Sequence, residues 1–454
     1  MTKILATIGP ESDKIKDLSF ILKKTDFVRL NGSHNTIIWH KKTVENLSKI
    51  KKEINILLDL PGIKPRTNNA KDIFISKNQE ISFYYGNFKK KDKKIMSIQL
   101  TNKIPETKSK NKFFTISDGR YKFKILKANK NMLLASSVNS FNLKPKQGLN
   151  IPFSIFDERK QYEIYVNFLK KYLRKIKNIS SIGLSYIQSE NIIKKIKKKF
   201  PNLLVVSKIE NYKGLQNIKK ICEFSDGIMI DRGDLSAEIG EDKLYDGVIN
   251  IIDNSKVFNI PVILATENLT SMLKNPSPSK SEIFSIDYLQ ALKIDRVMLS
   301  EETAISKNWK IIINWLSKHL EKRKKSQIKK VEFSKTQNFW EIFNNIKNLR
   351  TVLFTKKGYA ISKILENKEI KELIVFTDNQ KLHKLNMIRG NLKSYLINKF
   401  NNKKLSEFIF KTIKKNKKTI FKDINDPVTL IYISNPKKKS RANTLQFVFK
   451  EDFQ

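Results

Sequence analysis

The chain has 454 residues, 40% of them hydrophobic, which is length for two or three domains with separate cores. Fourteen Gly and 12 Pro are too few for a collagenous or low-complexity chain, and one cysteine, Cys222, excludes a disulfide framework and a thiolate metal cage. Lys plus Arg total 89 against 44 Asp plus Glu, a net charge of +45, yet only eleven of the 89 are Arg, the residue that reads bases bidentately.

The lysines are scattered along helical stretches, as at Lys194–Lys195, Lys197–Lys199, Lys324–Lys325 and Lys414–Lys415. That pattern reads as a solvated coat, and no specific nucleic acid is expected as a partner. The opening residues Met1 to Pro10 lack the apolar run of a signal peptide. No segment approaches the ~20 apolar residues of a membrane span. A soluble, cytoplasmic protein without membrane contact is expected.

Short apolar runs at residues 3–9, 27–32, 54–60, 180–187, 203–210, 226–232, 261–267 and 295–300 alternate with helical patterns such as 15–24, 36–53, 158–178, 189–200, 244–259 and 279–294. The runs are β-branched and continuous, as in strands buried on both faces of a parallel sheet. Eight such signals separated by helices predict an α/β fold, a (β/α)8 TIM barrel. The interval between the third and fourth runs is too long for one connection. Its residues 68–150 lack helical period and carry strand-like pieces at 81–85, 113–116, 121–126 and 132–138, so an all-β lid domain, a small β-barrel, is expected there. Lys89–Lys94 reads as an exposed turn within it. Beyond a basic stretch near 321–330, strands at 352–355, 372–377, 394–397, 429–434 and 445–449 and helices at 360–367 and 405–416 predict a C-terminal α/β domain for regulation or assembly. The expected division is barrel 1–67 and 151–330, insertion 68–150, and C-terminal domain 331–454.

A (β/α)8 barrel carries its active site at the C-terminal ends of its strands. The predicted ends are Arg29 to His34, Asp59-Leu60 with Lys64 and Arg66 beyond, Ser185, Lys208 to Asn211, Asp231 to Asp234, Thr266-Glu267, and Ser300 to Thr303. Glu210 and Asp234 on adjacent strands suit a divalent cation that prefers oxygen, Mg2+ or Mn2+. Arg29, Lys208 and Arg232 supply the positive charge that phosphoryl transfer needs. The turn Asp231-Arg232-Gly233-Asp234 offers backbone N–H groups to an anion.

At this point the sequence resembles the pyruvate kinase family. The resemblance rests on Thr2-Lys3-Ile4 to Gly9-Pro10, Arg29-Leu30-Asn31 with Ser33-His34, Lys208-Ile209-Glu210-Asn211, Asp226-Gly227-Ile228-Met229, Arg232-Gly233-Asp234-Leu235, Ala265-Thr266 with Ser271-Met272, and Ser300 with Glu302-Thr303-Ala304. Asp118-Gly119, Gly148 to Pro152 and Asn443-Thr444 extend it over nearly the whole chain.

The resemblance implies transfer of the phosphoryl group of phosphoenolpyruvate to ADP, giving pyruvate and ATP, by a homotetramer. It implies that Lys208 neutralises the transferring group and the developing enolate, and that Arg29 grips the phosphoryl group. Glu210 and Asp234 would hold the divalent metal. Thr266 would position the proton donor, and backbone amides at Arg232, Gly233 and Asp234, beside Asp231, would hold the substrate carboxylate. Asn31, Arg29 and His34 would face the nucleotide, and Asp118 would face the site from the lid. A K+ pocket would comprise Asn31, Ser33, Asp59 and the carbonyl of Leu60. Lys64 stands where potassium-independent members carry lysine, so activity without K+ is expected.

Several positions depart from the family pattern. Asp231 replaces a small residue, and a carboxylate there would repel the substrate carboxylate by a kcal/mol or more if it faces the site. Glu301 replaces Gly, and Asn139-Ser140-Phe141 replaces Asn-Gly-Gly in the lid. Thr355 to Ala360 resembles a sugar-phosphate effector loop, with Lys437–Lys439 and Arg441 in another loop of that domain; a plain solvated loop is the other reading. Two competing functions stay open here: a weakened pyruvate kinase-like protein that binds a phosphorylated ligand, and a basic scaffold for RNA or another polyanion.

Overall fold

The computed structural model describes all residues except 1, 88–94, 108–111, 118, 130, 326–338, 345, 347–349, 368, 401–403, 423–426, 433–443 and 454. The expected turn at Lys89–Lys94, Asp118, most of the basic stretch near 321–330, and the Lys437–Lys439 loop with Arg441 lie outside the described residues.

Eight parallel strands close into a barrel in the order predicted: Lys3–Thr7, Phe27–Asn31, Asn55–Asp59, Ser181–Leu184, Leu204–Ile209, Gly227–Asp231, Val262–Ala265 and Arg296–Leu299, the last pairing with the first. One set of side chains, including Ile4, Val28, Leu58, Ile182, Val205, Ile228, Leu264 and Val297, packs outward against the helices. The alternate set points inward, where Leu5, Phe27, Leu57, Val206, Met229, Ile263 and Met298 form a dry interior layer. Burial on both faces is why the strand sequences read as continuous apolar runs.

That alternation also places the charges. Two residues beyond the interior Phe27 comes Arg29, beyond Leu57 comes Asp59, beyond Val206 come Lys208 and Glu210, and beyond Met229 comes Asp231. A period of two keeps these side chains inside, now at the C-terminal mouth.

The long interval after the third strand folds as a six-stranded sheet ordered Leu149–Asn150, Phe113–Ile116, Tyr121–Asn129, Met132–Ser137, Glu80–Tyr84 and Met96–Gln99. Arg66 pairs with Gly148 and Thr67 with Leu100, so the chain leaving the barrel bridges the two edges of this sheet. Its core is aromatic: Phe114 stacks on Phe123 at 5.1 Å, and Phe83 meets both edge-on. The sequence reading missed its shortest strands, Ile73–Ile75, Glu106–Thr107 and Phe141–Leu143, which are too brief for a period to register.

The C-terminal strands form a five-stranded sheet ordered Lys393–Leu396, Glu372–Thr377, Arg350–Phe354, Val428–Tyr432 and Thr444–Val448, with only the last antiparallel. Helix Gln380–Arg389 was not predicted, because its apolar residues fall on no single face. Its surroundings give the reason: Leu382 packs in its own domain, whereas Ile388 and Leu385 join the interior layer of the barrel. Arg296, fully buried, donates to the carbonyls of Ile388 at 2.5 Å and Ile4 at 2.8 Å, to the carbonyl of Met387, and to Asp26 at 2.7 Å. The C-terminal domain thus stoppers the end of the barrel opposite the charged mouth. Among the described residues no helix is long and apolar enough to cross a membrane.

Truncating the stopper should be costly. Ile388→Ala removes a fully buried side chain from a packed layer, and such changes cost about 2–5 kcal/mol. A clearly lowered urea midpoint is expected; an unchanged midpoint would show that the contact contributes nothing.

Candidate active site

Lys208 organises the mouth. Its ammonium lies 2.9 Å from Glu210, 3.4 Å from Asp59 and 3.6 Å from Asp231, and 3.3 Å from the Ser185 hydroxyl. Burial works against the charge, but Asp59, Glu210 and Asp231 outweigh it and hold Lys208 protonated well above the ordinary lysine value. Arg29 directs Nε and Nη2 onto one Asp59 oxygen at 2.9 and 2.7 Å, and Nη1 onto the Thr7 hydroxyl at 3.1 Å. Burial opposes ionisation of Asp59 too, and the charges of Lys208 and Arg29 overcome it, leaving the carboxyl below its usual range.

Three carboxylates face one another across the site. Glu210, Asp231 and Asp234 each present an oxygen within 4.8 Å of the others. Glu210 also accepts from the Tyr186 backbone N–H at 2.6 Å. Burial, together with the nearby Asp231 and Asp234 and despite Lys208, pushes its carboxyl up to about 8. Asp234 is the opposite case: burial raises it, but an ion pair with Lys64 and a 2.9 Å bond from the Asn150 amide hold it well below the carboxylate range. The Tyr186 hydroxyl lies buried near Asp234, Glu210 and Glu238 and helps to hold the Asp234 carboxyl down. An all-oxygen donor set with excess negative charge fits a hard divalent cation such as Mg2+ or Mn2+.

Lys64 and Arg232 stand apart from their expected places. The sequence reading grouped Lys64 with Asn31, Ser33, Asp59 and Leu60; its ammonium instead closes on Asp234, on the metal side of the site. Gly148 permits this, because a Cβ there would come within 2.5 Å of Lys64 Cε. Arg232 was expected to add charge beside the carboxylates. As the first residue of helix Arg232–Ile239 it turns to the rim instead, donating to the carbonyls of Thr266 and Glu267 at 2.9 and 2.8 Å, to Asn268 at 3.0 Å and to Ser285 at 2.9 Å. The carbonyls it clamps are strained: Thr266 and Glu267 have φ of +56° and +51°, a conformation that is costly for a β-branched residue and concentrated at functional sites. The Thr266 hydroxyl donates to Asp231 at 3.0 Å and accepts from the Gly233 N–H at 3.3 Å.

The remaining predicted residues line the rim. The Asn31 side chain accepts from the Ser33 N–H at 3.1 Å, and the Leu60 carbonyl accepts from Ser185 at 2.9 Å. His34 is exposed; desolvation at the rim and the charges of Arg66, Arg29 and Lys146 lower its pKa. Glu301 is exposed, outside the buried cluster, whereas Glu302 is buried and accepts from the Ser300 N–H at 2.7 Å. Sequence reasoning assigned no role to Asn150, Tyr186 or Glu238. For Asn150 a signal existed, since it lies within the Gly148 to Pro152 motif. Glu238 had one too, as it stands four residues after Asp234 on helix Arg232–Ile239 and shares its face. Tyr186 carries none, because only folding brings it beside Asp234.

Known proteins resemble this chain in sequence and fold. A family model described as pyruvate kinase, barrel domain, matches residues 1–309. The chain is 30% identical to a pyruvate kinase of Thermococcus litoralis over 321 residues, 67% of this chain and 66% of that protein. It is 29% identical to a pyruvate kinase of Methanocaldococcus jannaschii over 468 residues, 98% of each. The fold matches the crystal structure of a pyruvate kinase from Cryptosporidium parvum with a TM-score of 0.76 at 22% identity, covering 99% of this chain and 96% of that one.

Glu238 offers a check on these electrostatics. It is 1% exposed, its carboxyl is pushed up to about 8 by burial, and it accepts from Ser154 at 2.9 Å. A carboxyl raised in the folded state binds protons that the unfolded chain has lost, so stability falls as pH rises from about 4.5 to about 8. Glu238→Gln should therefore gain stability relative to the parent between pH 5 and pH 8, read as melting temperatures at both. A constant difference would mean that Glu238 ionises normally.

Proposed function

The chain belongs to the pyruvate kinase family of phosphotransferases, and we propose that it transfers the phosphoryl group of phosphoenolpyruvate to ADP, giving pyruvate and ATP in the cytoplasm. The observation that carries this reading is the preorganised cation pair at the barrel mouth: Lys208 among three carboxylates and Arg29 fixed by Asp59. Phosphoryl transfer asks a protein mainly to position the reactants and neutralise spreading charge, and groups already held in place lose little energy in reorganising.

In this reading Lys208 faces the bridging oxygen, first on the phosphoryl group and then on the enolate. Arg29 holds the phosphoryl oxygens. Glu210 and Asp234 hold Mg2+, whose chemistry there is to neutralise substrate oxygens. Asp234 offers an N–H group of the helix start to the substrate carboxylate, beside the Gly233 N–H that already donates to Thr266. Thr266, held on its strained turn by Arg232, orients the group that protonates the enolate carbon. His34, with Arg66 and Lys146 beside it, marks the nucleotide side of the rim. The insertion, joined to the site through Asn150 and Gly148, excludes water as a lid. The homotetramer that the family resemblance implies is part of the same proposal.

Potassium independence is the finer part of the reading. Lys64 is 3% exposed, and its charge is tied to Asp234 inside the site. A tethered ammonium supplies the site with the single positive charge that a free monovalent ion would otherwise bring, from the Asp234 side rather than from the pocket of Asn31, Ser33, Asp59 and Leu60.

Lys208→Met should lower ATP formation from phosphoenolpyruvate, ADP and Mg2+ by at least about a hundredfold, the scale of losing one preorganised transition-state donor. A fully active variant would end the proposed role of Lys208. KCl added at constant ionic strength should leave the parent rate unchanged, and Lys64→Gln should acquire a KCl requirement. Strong activation of the parent by K+ would refute the tethered-cation reading.

A further inference from the structure

With Glu210 ionised, as a bound cation would hold it, the site carries one carboxylate more than its cations balance. Among the described residues at its centre, Arg29, Lys64 and Lys208 face Asp59, Glu210, Asp231 and Asp234. Arg29 is committed to Asp59 and Lys64 to Asp234, so Glu210 and Asp231 share Lys208 with Asp59. Asp231 is the residue in excess, since Arg29 and Lys64 hold Asp59 and Asp234, and Glu210 lies nearer to Lys208, at 2.9 Å against 3.6 Å.

Its conformation shows where the extra charge points. Asp231 is the last residue of strand Gly227–Asp231 and the N-cap of helix Arg232–Ile239. Aspartate at an N-cap usually accepts from its own helix. Here the side chain makes no capping bond. One oxygen accepts from Thr266, the other lies 3.6 Å from Lys208, and the carboxylate presents an oxygen within 4.8 Å of ligand atoms of both Glu210 and Asp234. The helix forgoes its cap, and the charge is turned into the mouth of the barrel. One buried oxygen beside the cluster, Asn150 Oδ1, meets no partner among the described residues. It is the kind of group that the water shell of a cation satisfies.

We propose that Asp231 is a third carboxylate ligand of the divalent-cation site, tightening this chain's hold on Mg2+ or Mn2+ before substrate arrives. The proposal rests on the metal site of the function proposed above and adds to it. With two carboxylates a hard cation fills the rest of its shell with water and substrate oxygens; a third carboxylate replaces one of those waters and adds a charge that attracts the ion. The same arrangement resolves the conflict between Asp231 and the substrate carboxylate: a carboxylate bound to the cation no longer presents a bare charge to the incoming anion.

The test is binding of Mn2+ to the full-length chain without substrate, with free Mn2+ read from its EPR signal. Asp231→Asn and Asp231→Ala should each weaken binding about tenfold or more, at or beyond the low end of what removing even an outer-shell partner costs. Asp234→Asn should weaken it as well. Near-UV circular dichroism identifies any variant that has lost its fold. The asparagine variant still accepts from Thr266. If it binds Mn2+ within about twofold of the parent while Asp234→Asn does not, Asp231 only orients Thr266 and the proposal fails. If Asp234→Asn also leaves binding unchanged, the metal reading of the site fails with it.

Discussion

A lysine ammonium buried at the mouth of an apolar barrel is the constraint around which the site is arranged. A charge removed from water costs several kcal/mol even after relaxation. One opposite charge ~4 Å away returns about 4 kcal/mol at an effective dielectric of ~20, which barely offsets that cost. Lys208 has three carboxylates, so its charge is secure. Each carboxylate then needs a partner of its own. Asp59 takes Arg29, Glu210 takes the Tyr186 N–H, Asp231 takes Thr266, and Asp234 takes Lys64 and Asn150. The strands that carry these residues, and the insertion through Asn150, are drawn together by this chain of compensation.

The two ends of the barrel solve opposite problems. At the mouth, charges are packed together and kept available. At the other end, the interior layer would open to water, and the C-terminal domain closes it with Ile388 and the carbonyls that Arg296 gathers. Ala265, next to the strained Thr266, belongs to the same interior cluster as Ile388. One continuous body of packed side chains therefore runs from the C-terminal domain to the turn that faces the reacting groups. Close-packed interiors transmit displacement rather than absorb it.

Much of this was legible in the sequence. The eight barrel strands announced themselves because burial on both faces leaves continuous apolar runs. Arg29, Lys208, Glu210 and Asp234 stood out because charges gather together at the ends of successive, otherwise apolar runs. Helix Gln380–Arg389 escaped, because two different domains bury it and no single apolar stripe results. Lys64 and Arg232 were identified but assigned the wrong neighbours. A long flexible side chain can reach several partners, and the choice is made by what stands nearby: Gly148 leaves room for Lys64, and the carbonyls of Thr266 and Glu267 attract Arg232.

The sequence by itself determined the architecture and the charged inventory of the mouth, because both follow from local periodicity and from where apolar runs end. Only the tertiary structure decided the direction of each charge. Asp231 is the clearest case, since as a letter it could cap its own helix, repel a substrate or hold a cation. Its direction depends on Thr266, Lys208 and Asp234, which are distant from one another along the chain or lie across a turn. A carboxylate's chemistry is set by the groups within a few ångströms of it, and those neighbours exist only after the barrel has closed.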